Sequence, residues 1–255
     1  MSTPLAILGI FGDAIDFIFN AREARTGGAE VGGLGEFASL TGKHLLVTVA
    51  AVGLASLVAL PLGLYLGHKR RGGFLAVSVS NVGRAVPSLV LIALFIAFLG
   101  VGFANVALAL ALLAIPPILT NAYVGVTQVD RDVIDAAVGQ GLTDGQVMRQ
   151  IELPLALPLI FGGLRTSVVN VIATATIAPI AGVVTLGDPI ISQSVYGDAG
   201  KLAAAIVVAL LAVVAEVGLG AAQRAVTPAP LRGTPGATRR GRFFVKTAGK
   251  GLSTS

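Results

Sequence analysis

From Ala85 to Val129 the chain runs for 45 residues without a formal charge. A soluble domain draws about 25% of its residues from Asp, Glu, Lys and Arg; this chain draws 12%, and 55% of it is hydrophobic. Since ~20 apolar residues cross the ~30 Å hydrocarbon core of a bilayer, the run holds two spans. Gly100-Val101-Gly102 divides it into spans at 76–99 and 103–123, with Pro116-Pro117 as further punctuation.

The 25 uncharged residues between Lys43 and Lys69 give an earlier span at 44–67, and two more follow at 158–182 and 201–223. Pro61, Pro87, Pro116 and Pro179 are tolerable in these runs because neighbouring helices satisfy the freed carbonyls. The expected fold is an all-α, multi-pass integral membrane protein of about five transmembrane helices in a cell membrane. It divides into an N-terminal segment 1–43, a membrane domain 44–223 and a basic tail 224–255. Leu5–Phe19 is short for a span, and no Lys or Arg precedes it, as a cleavable signal would require. With Asp13 and Asp16 on one face it reads as an interfacial helix, a sixth span being the alternative.

Orientation follows from the Lys and Arg flanking the spans. With five spans, His68-Lys69-Arg70-Arg71 and the tail cations Arg224, Arg232, Arg239, Arg240, Arg242, Lys246 and Lys250 share one side. That side is expected to be cytoplasmic, with the N-terminus outside, the C-terminus inside and the loop 124–157 in the cytoplasm. The tail from Thr227 to Ser255, rich in Pro, Gly and Thr, is expected to lack order. It is either solvated or in contact with anionic lipid headgroups. The absence of cysteine excludes disulfides and thiolate chemistry, and His44 and His68 stand too far apart for a metal site. Nothing implies a bound cofactor or a nucleic-acid partner.

Within the 124–157 loop, Asp135-Ala136-Ala137, Gly141 and Ile151-Glu152-Leu153-Pro154 form a spaced pattern, D-A-A-x3-G-x9-I-x-L-P. A helix is expected over 130–138, with Val133, Ile134, Ala137 and Val138 on one stripe. Gly139-Gln140-Gly141 then breaks it. A second helix should start at the capping box Thr143-Asp144-Gly145-Gln146, carry Val147, Met148 and Ile151 as an apolar ridge, and stop before Pro154. From the residues alone two readings stay open. One is a knob that docks into a partner's groove; the other is an amphipathic connector lying on the bilayer.

The pattern resembles the E-A-A-x3-G-x9-I-x-L-P signature of permease subunits of binding-protein-dependent ABC importers of the type I fold. Ala136, Ala137, Gly141, Ile151, Leu153 and Pro154 match, and Asp135 replaces the usual Glu with the charge kept. The resemblance covers roughly 40–223. It implies that Asp135, Ala136, Ala137, Gly141, Val147, Met148, Ile151, Leu153 and Pro154 dock an ATP-binding cassette subunit, which alone binds ATP. It also implies a second permease subunit, identical or related, and an extracellular solute-binding protein. Asn81-Val82-Gly83-Arg84-Ala85-Val86-Pro87-Ser88-Leu89, Ala59-Leu60-Pro61-Leu62-Gly63 and Gly67-His68 resemble the branch that carries glycine betaine, choline and carnitine. A permease for an amino acid or a sulfonate is the runner-up.

Three charges fall inside expected spans. Arg84, Arg165 and Glu216 each lie seven or eight residues from the cytoplasmic end of their span, hence ~10–12 Å deep at ~1.5 Å per residue. They are expected to form an ion pair or triad near the cytoplasmic gate; the alternative is arginines that snorkel to the interface. Asn170, Thr174 and Thr176 could face an aqueous pathway or bond between helices.

No G-x-x-x-x-G-K-[ST] loop is present, so the chain is expected to have no catalytic residues of its own. A secondary transporter should show internal repeats or a relay of buried acids, and the sequence has neither. A membrane enzyme lacks a residue set here, and a non-transporting anchor is separable only by an uptake assay.

Overall fold

The computed structural model describes residues 3–74, 78, 83 and 86–227. Helix α1 (Thr3–Phe19) leads into a short antiparallel hairpin, β1 (Ala21–Glu23) and β2 (Glu30–Gly32), with Ala21 opposite Gly32. Then come α2 (Gly33–His68), α3 (Ser88–Leu99), α4 (Phe103–Thr127), α5 (Arg131–Gly139) and α6 (Asp144–Val147). A π-helical turn, Met148–Glu152, continues into α7 (Leu153–Thr174), whose end tightens into a 3-10 turn, Ala175–Ala181. Short α8 (Asp188–Ile191) and long α9 (Gln193–Val226) complete the order.

Among the described residues four helices are long and apolar enough to cross a membrane: Gly33–His68, Phe103–Thr127, the continuous Asp144–Ala181, and Gln193–Val226. They contain the expected spans at 44–67, 103–123 and 201–223 and all but the last residue of the one at 158–182; all but the second also run well past the expected start or end. The expected span at 76–99 is described mainly as α3, twelve residues long; Asn81, Val82, Arg84 and Ala85 lie outside the described residues, as do residues 228–255 of the tail.

The core forms where α2, α4 and α7 meet. On α2 the buried residues Ala51, Ala55, Ala59, Gly63 and Gly67 recur every fourth position. Such a ladder of small residues lets two backbones approach closely, which is how helices pair where lipid supplies no hydrophobic drive. A Cβ on Gly63 would stand 2.8 Å from both the Ala122 Cβ and the Leu119 carbonyl oxygen of α4. Between α4 and α7 the same device recurs: Gly163 lies against the Pro117 carbonyl and Asn121, and Gly125 against Ala156. Ser167 donates to the Ala114 carbonyl at 3.0 Å, and His44 Nε2 lies 2.9 Å from the Ile172 carbonyl.

The hairpin end is tied differently. Phe17 of α1 makes edge contacts with Phe37 of α2 and Tyr196 of α9, ring centroids 6.2 and 6.5 Å apart. Ala14 and Phe17 are buried in a cluster with Leu40, Ala203 and Ala204, so α1 packs on the bundle along one face. Its outward Asp16 accepts hydrogen bonds from Arg22 and Asn20, which hold the carboxyl below its usual range. Across the bundle's outside, Leu46, Val49, Leu57, Leu210, Val213, Val214 and Val217 stand exposed. That is the apolar exterior a bilayer or a second subunit covers.

Candidate functional site

The spaced motif folds into two helices joined by a glycine cap at one end of the bundle. Asp130 caps α5 by accepting the Asp132 N–H at 3.0 Å, as an N-cap aspartate does. At the other end of α5, Leu142 N–H donates to the Ala137 carbonyl (3.2 Å) and Gly141 N–H to the Val138 carbonyl (2.9 Å). That pair of bonds is a Schellman closure, which needs a left-handed residue at the position Gly141 holds. Gly141 has φ +89°, and a Cβ there would meet no atom within 4 Å. Only backbone conformation therefore demands glycine. Gly141→Val is expected to strain the cap by ~1–2 kcal/mol, whereas Gly141→Asn keeps much of it, because Asn visits the left-handed region. Limited proteolysis at 139–143 should accelerate about tenfold for Val and little for Asn.

Gln146 Oε1 accepts the Thr143 N–H at 2.8 Å, so the start of α6 is capped where the sequence places it. The end is not. In place of the break expected before Pro154, the helix passes through the π turn and Pro154 sits in the first turn of α7. Proline removes one hydrogen bond and its ring crowds the carbonyl four residues earlier. A wider turn just ahead relieves both demands without ending the helix.

The outward surface of the motif differs from the expected ridge. Val147 is 2% exposed and Ala137 is buried, so both support the loop from within. Asp135 and Ala136 are exposed on α5, as are Val133 and Val138, while Met148, Ile151, Leu153 and Pro154 are half-buried. Leu153 packs toward Ala122, Val126, Ala156 and Ile160.

Behind the motif, the basic run read for orientation is structural. His68 Nδ1 lies 2.6 Å from Glu152 Oε2, and Lys69 Nζ lies 3.3 Å from Asp144 Oδ2. Arg70, with φ +48°, closes the C-terminus of α2 and donates to the Val129 carbonyl (2.8 Å) and the Thr127 carbonyl (3.4 Å). A guanidinium there satisfies the open carbonyls at the end of α4. Sequence reasoning missed His68, Lys69, Arg70, Asp144 and Glu152 in these roles. The available signal was Glu152, an acid between two apolar motif residues.

Of the three expected intramembrane charges, Arg165 Nε lies 3.3 Å from Glu216 Oε1, joining α7 to α9, with Arg84 outside the described residues. A Cβ on Gly220 would stand in contact with Arg165 Nη1, 3.4 Å away, so larger side chains there reach the guanidinium. Gln223 Nε2 donates to the Pro158 carbonyl at 2.7 Å nearby. Thr174 and Thr176 spend their hydroxyls on carbonyls of their own chain segment, Asn170 and Ala173.

Residues 59–229 match the family described as the binding-protein-dependent transport system inner membrane component. The chain belongs to that family. It is a multi-pass membrane permease subunit of a binding-protein-dependent ABC importer. The permease is 36% identical over 200 residues to the glycine betaine/carnitine/choline transport system permease protein OpuCB of Bacillus subtilis, over 78% of this chain and 92% of that one. It is 36% identical over 199 residues to the choline transport system permease protein OpuBB of the same organism, with the same shares covered. To the carnitine transport permease protein OpuCB of Listeria monocytogenes it is 37% identical over 193 residues, 75% of this chain and 88% of that one. Its fold is that of a type I ABC importer permease. The inward-facing MetNI methionine ABC transporter matches with a TM-score of 0.66 over 76% of this chain and 98% of that one, at 19% identity.

Proposed function

We infer that this permease carries quaternary-ammonium osmoprotectants of the glycine betaine, choline and carnitine class. The observation that carries the reading is the 36–37% identity to permeases named for those solutes, over three quarters of the chain. The chain does no chemistry on the solute and binds no ATP itself. A pair of permease subunits, this chain with itself or with a relative, forms the pathway. An ATP-binding cassette subunit docks on the exposed side of the motif, where Asp135, Ala136, Met148 and Ile151 are accessible. Val147, Ala137 and Gly141 hold that surface in shape. The motif end faces the cytoplasm, in keeping with the cations His68 to Arg71 there. An extracellular solute-binding protein meets the opposite end. The Arg165–Glu216 pair, with Arg84 as a third member, acts as a gate bond between α7 and α9.

The test is uptake of labelled glycine betaine and choline at high external osmolarity, in host cells with and without this chain. Loss of uptake on deletion, restored by the wild-type chain and not by Gly141→Val, supports both the solute class and the docking loop. Unchanged uptake of both solutes with a second importer also removed would discard the solute class.

A further inference from the structure

Among the described residues Glu152 is the one acidic side chain that is buried, at 2% exposure. It is there because of the π turn. The buried positions along this helix run Val147, Glu152, Ala156, Ile160, Gly163, Ser167, a first step of five followed by steps of three and four. In an unbroken α-helix the residue in line with Val147 would be Ile151, four places on. An apolar side chain was thus at hand for the inward position, and the wide turn turns it half outward to bring in a carboxylate. Single π turns inside α-helices recur at functional sites.

The carboxylate meets His68 Nδ1 at 2.6 Å, on the last residue of α2. An ionised carboxylate only accepts and a ring N–H donates, so the two are matched when the ring proton is on Nδ1. Lys69 and Asp144, 3.3 Å apart and exposed, add a second tie one residue further on. At its far end α2 is held as well: Tyr196 Oη of α9 donates to Glu36 Oε1 at 2.7 Å. Some 36 residues of one helix, roughly 54 Å at 1.5 Å per residue, therefore run from the motif loop to the hairpin end with a polar tie at each.

We propose that the Glu152–His68 contact is the strut that makes the docking motif and α2 move as one body, with Glu152 and His68 as positioning residues for coupling. It rests on the reading that an ATP-driving subunit docks on this loop. Removing one partner of a buried polar contact strands the other: Glu152→Leu leaves His68, which is 16% exposed, within reach of water, whereas His68→Leu leaves the buried Glu152 carboxylate without its partner. With both replaced by Leu nothing is stranded, so the double variant keeps the fold while the linkage is lost.

The complete importer, reconstituted in liposomes, tests this with Glu152→Leu, His68→Leu and His68→Asn; Asn places a donor where Nδ1 stands. Two quantities are read: labelled glycine betaine moved per ATP hydrolysed, and the mobility of a spin label at exposed Gln150→Cys, in a chain with no native cysteine. Glu152→Leu and the double Leu variant should keep ATP hydrolysis within about twofold, and all the Leu variants should lower the transport ratio about tenfold, the scale of substitutions along a coupling element. The label should loosen, the double Leu variant should be no worse than either single, and His68→Asn should recover most of the loss. A label that stays as immobile as in the wild type overturns the strut, as does a transport ratio unchanged in both Leu variants. Should the wild-type importer move no glycine betaine, the solute reading fails, and the label still decides the strut.

Discussion

Gly63→Leu is expected to unseat α2 from α4 and to cost ~3 kcal/mol, the upper part of the range for overpacking a filled interior. A Cβ alone would come within 2.8 Å of the Leu119 carbonyl oxygen, a backbone atom in the middle of α4 that has no rotamer to escape into. Gly63→Ala should already destabilise, and the larger side chain adds atoms where Ala122 and Tyr123 stand. The control sits on the same helix. Gly53 is exposed, with no atom within 4 Å of a built Cβ, so Gly53→Leu should be neutral or slightly stabilising through helix propensity. Thermal unfolding of the purified chain in detergent reads both. Equal melting temperatures for Gly63→Leu and Gly53→Leu would mean the ladder of small residues does not hold the bundle.

That ladder also marks the limit of what the sequence disclosed. The uncharged runs were enough to place α2, α4, α7 and α9, because hydropathy alone selects a spanning helix. Local capping chemistry is legible too: the Thr143–Gln146 pair acts where the capping box places it, since a cap depends on three or four neighbouring residues. What escaped depends on distant partners or on small departures from regular geometry. The hairpin at 21–32 has three-residue strands, too short for alternation to show. Pro154 marks a helix end by local rules but lies in the first turn of α7, because a π turn absorbs its demands. The same turn shifted the inward stripe by one residue. That shift put Val147 and Glu152 inside, where a plain helical wheel puts Val147 and Ile151. His68 and Glu152, 84 residues apart, carry no local sign of each other.

Charge exchange across α7 and α9 should give the largest functional effect. Depth arithmetic put Arg165 and Glu216 in one layer, and the structure has them 3.3 Å apart with 36% and 49% of their side chains exposed in the single chain. At the centre of a spanning helix a lone charge costs ~2.5–3.5 kcal/mol by insertion scales. Glu216→Arg, which sets two guanidinium groups side by side, should therefore depress glycine betaine uptake by tenfold or more. Arg165→Glu should do the same. The exchanged pair, Arg165→Glu with Glu216→Arg, should restore much of the uptake, and Gly220→Leu should mimic the singles by crowding Nη1. Arg84→Glu combined with Glu216→Arg asks separately whether Arg84 shares the site. An exchanged pair no better than its singles would remove the ion pair from the mechanism. The direction of the effect follows from connectivity. Helical backbone runs without a break from Asp144 in the motif loop through the π turn to Ala181, so Arg165 rides on the same element as the motif. Glu216 sits on α9, which shares no chain segment with that element. A bond between them resists relative motion of the two helices, and a movement of the loop is what would make or break it.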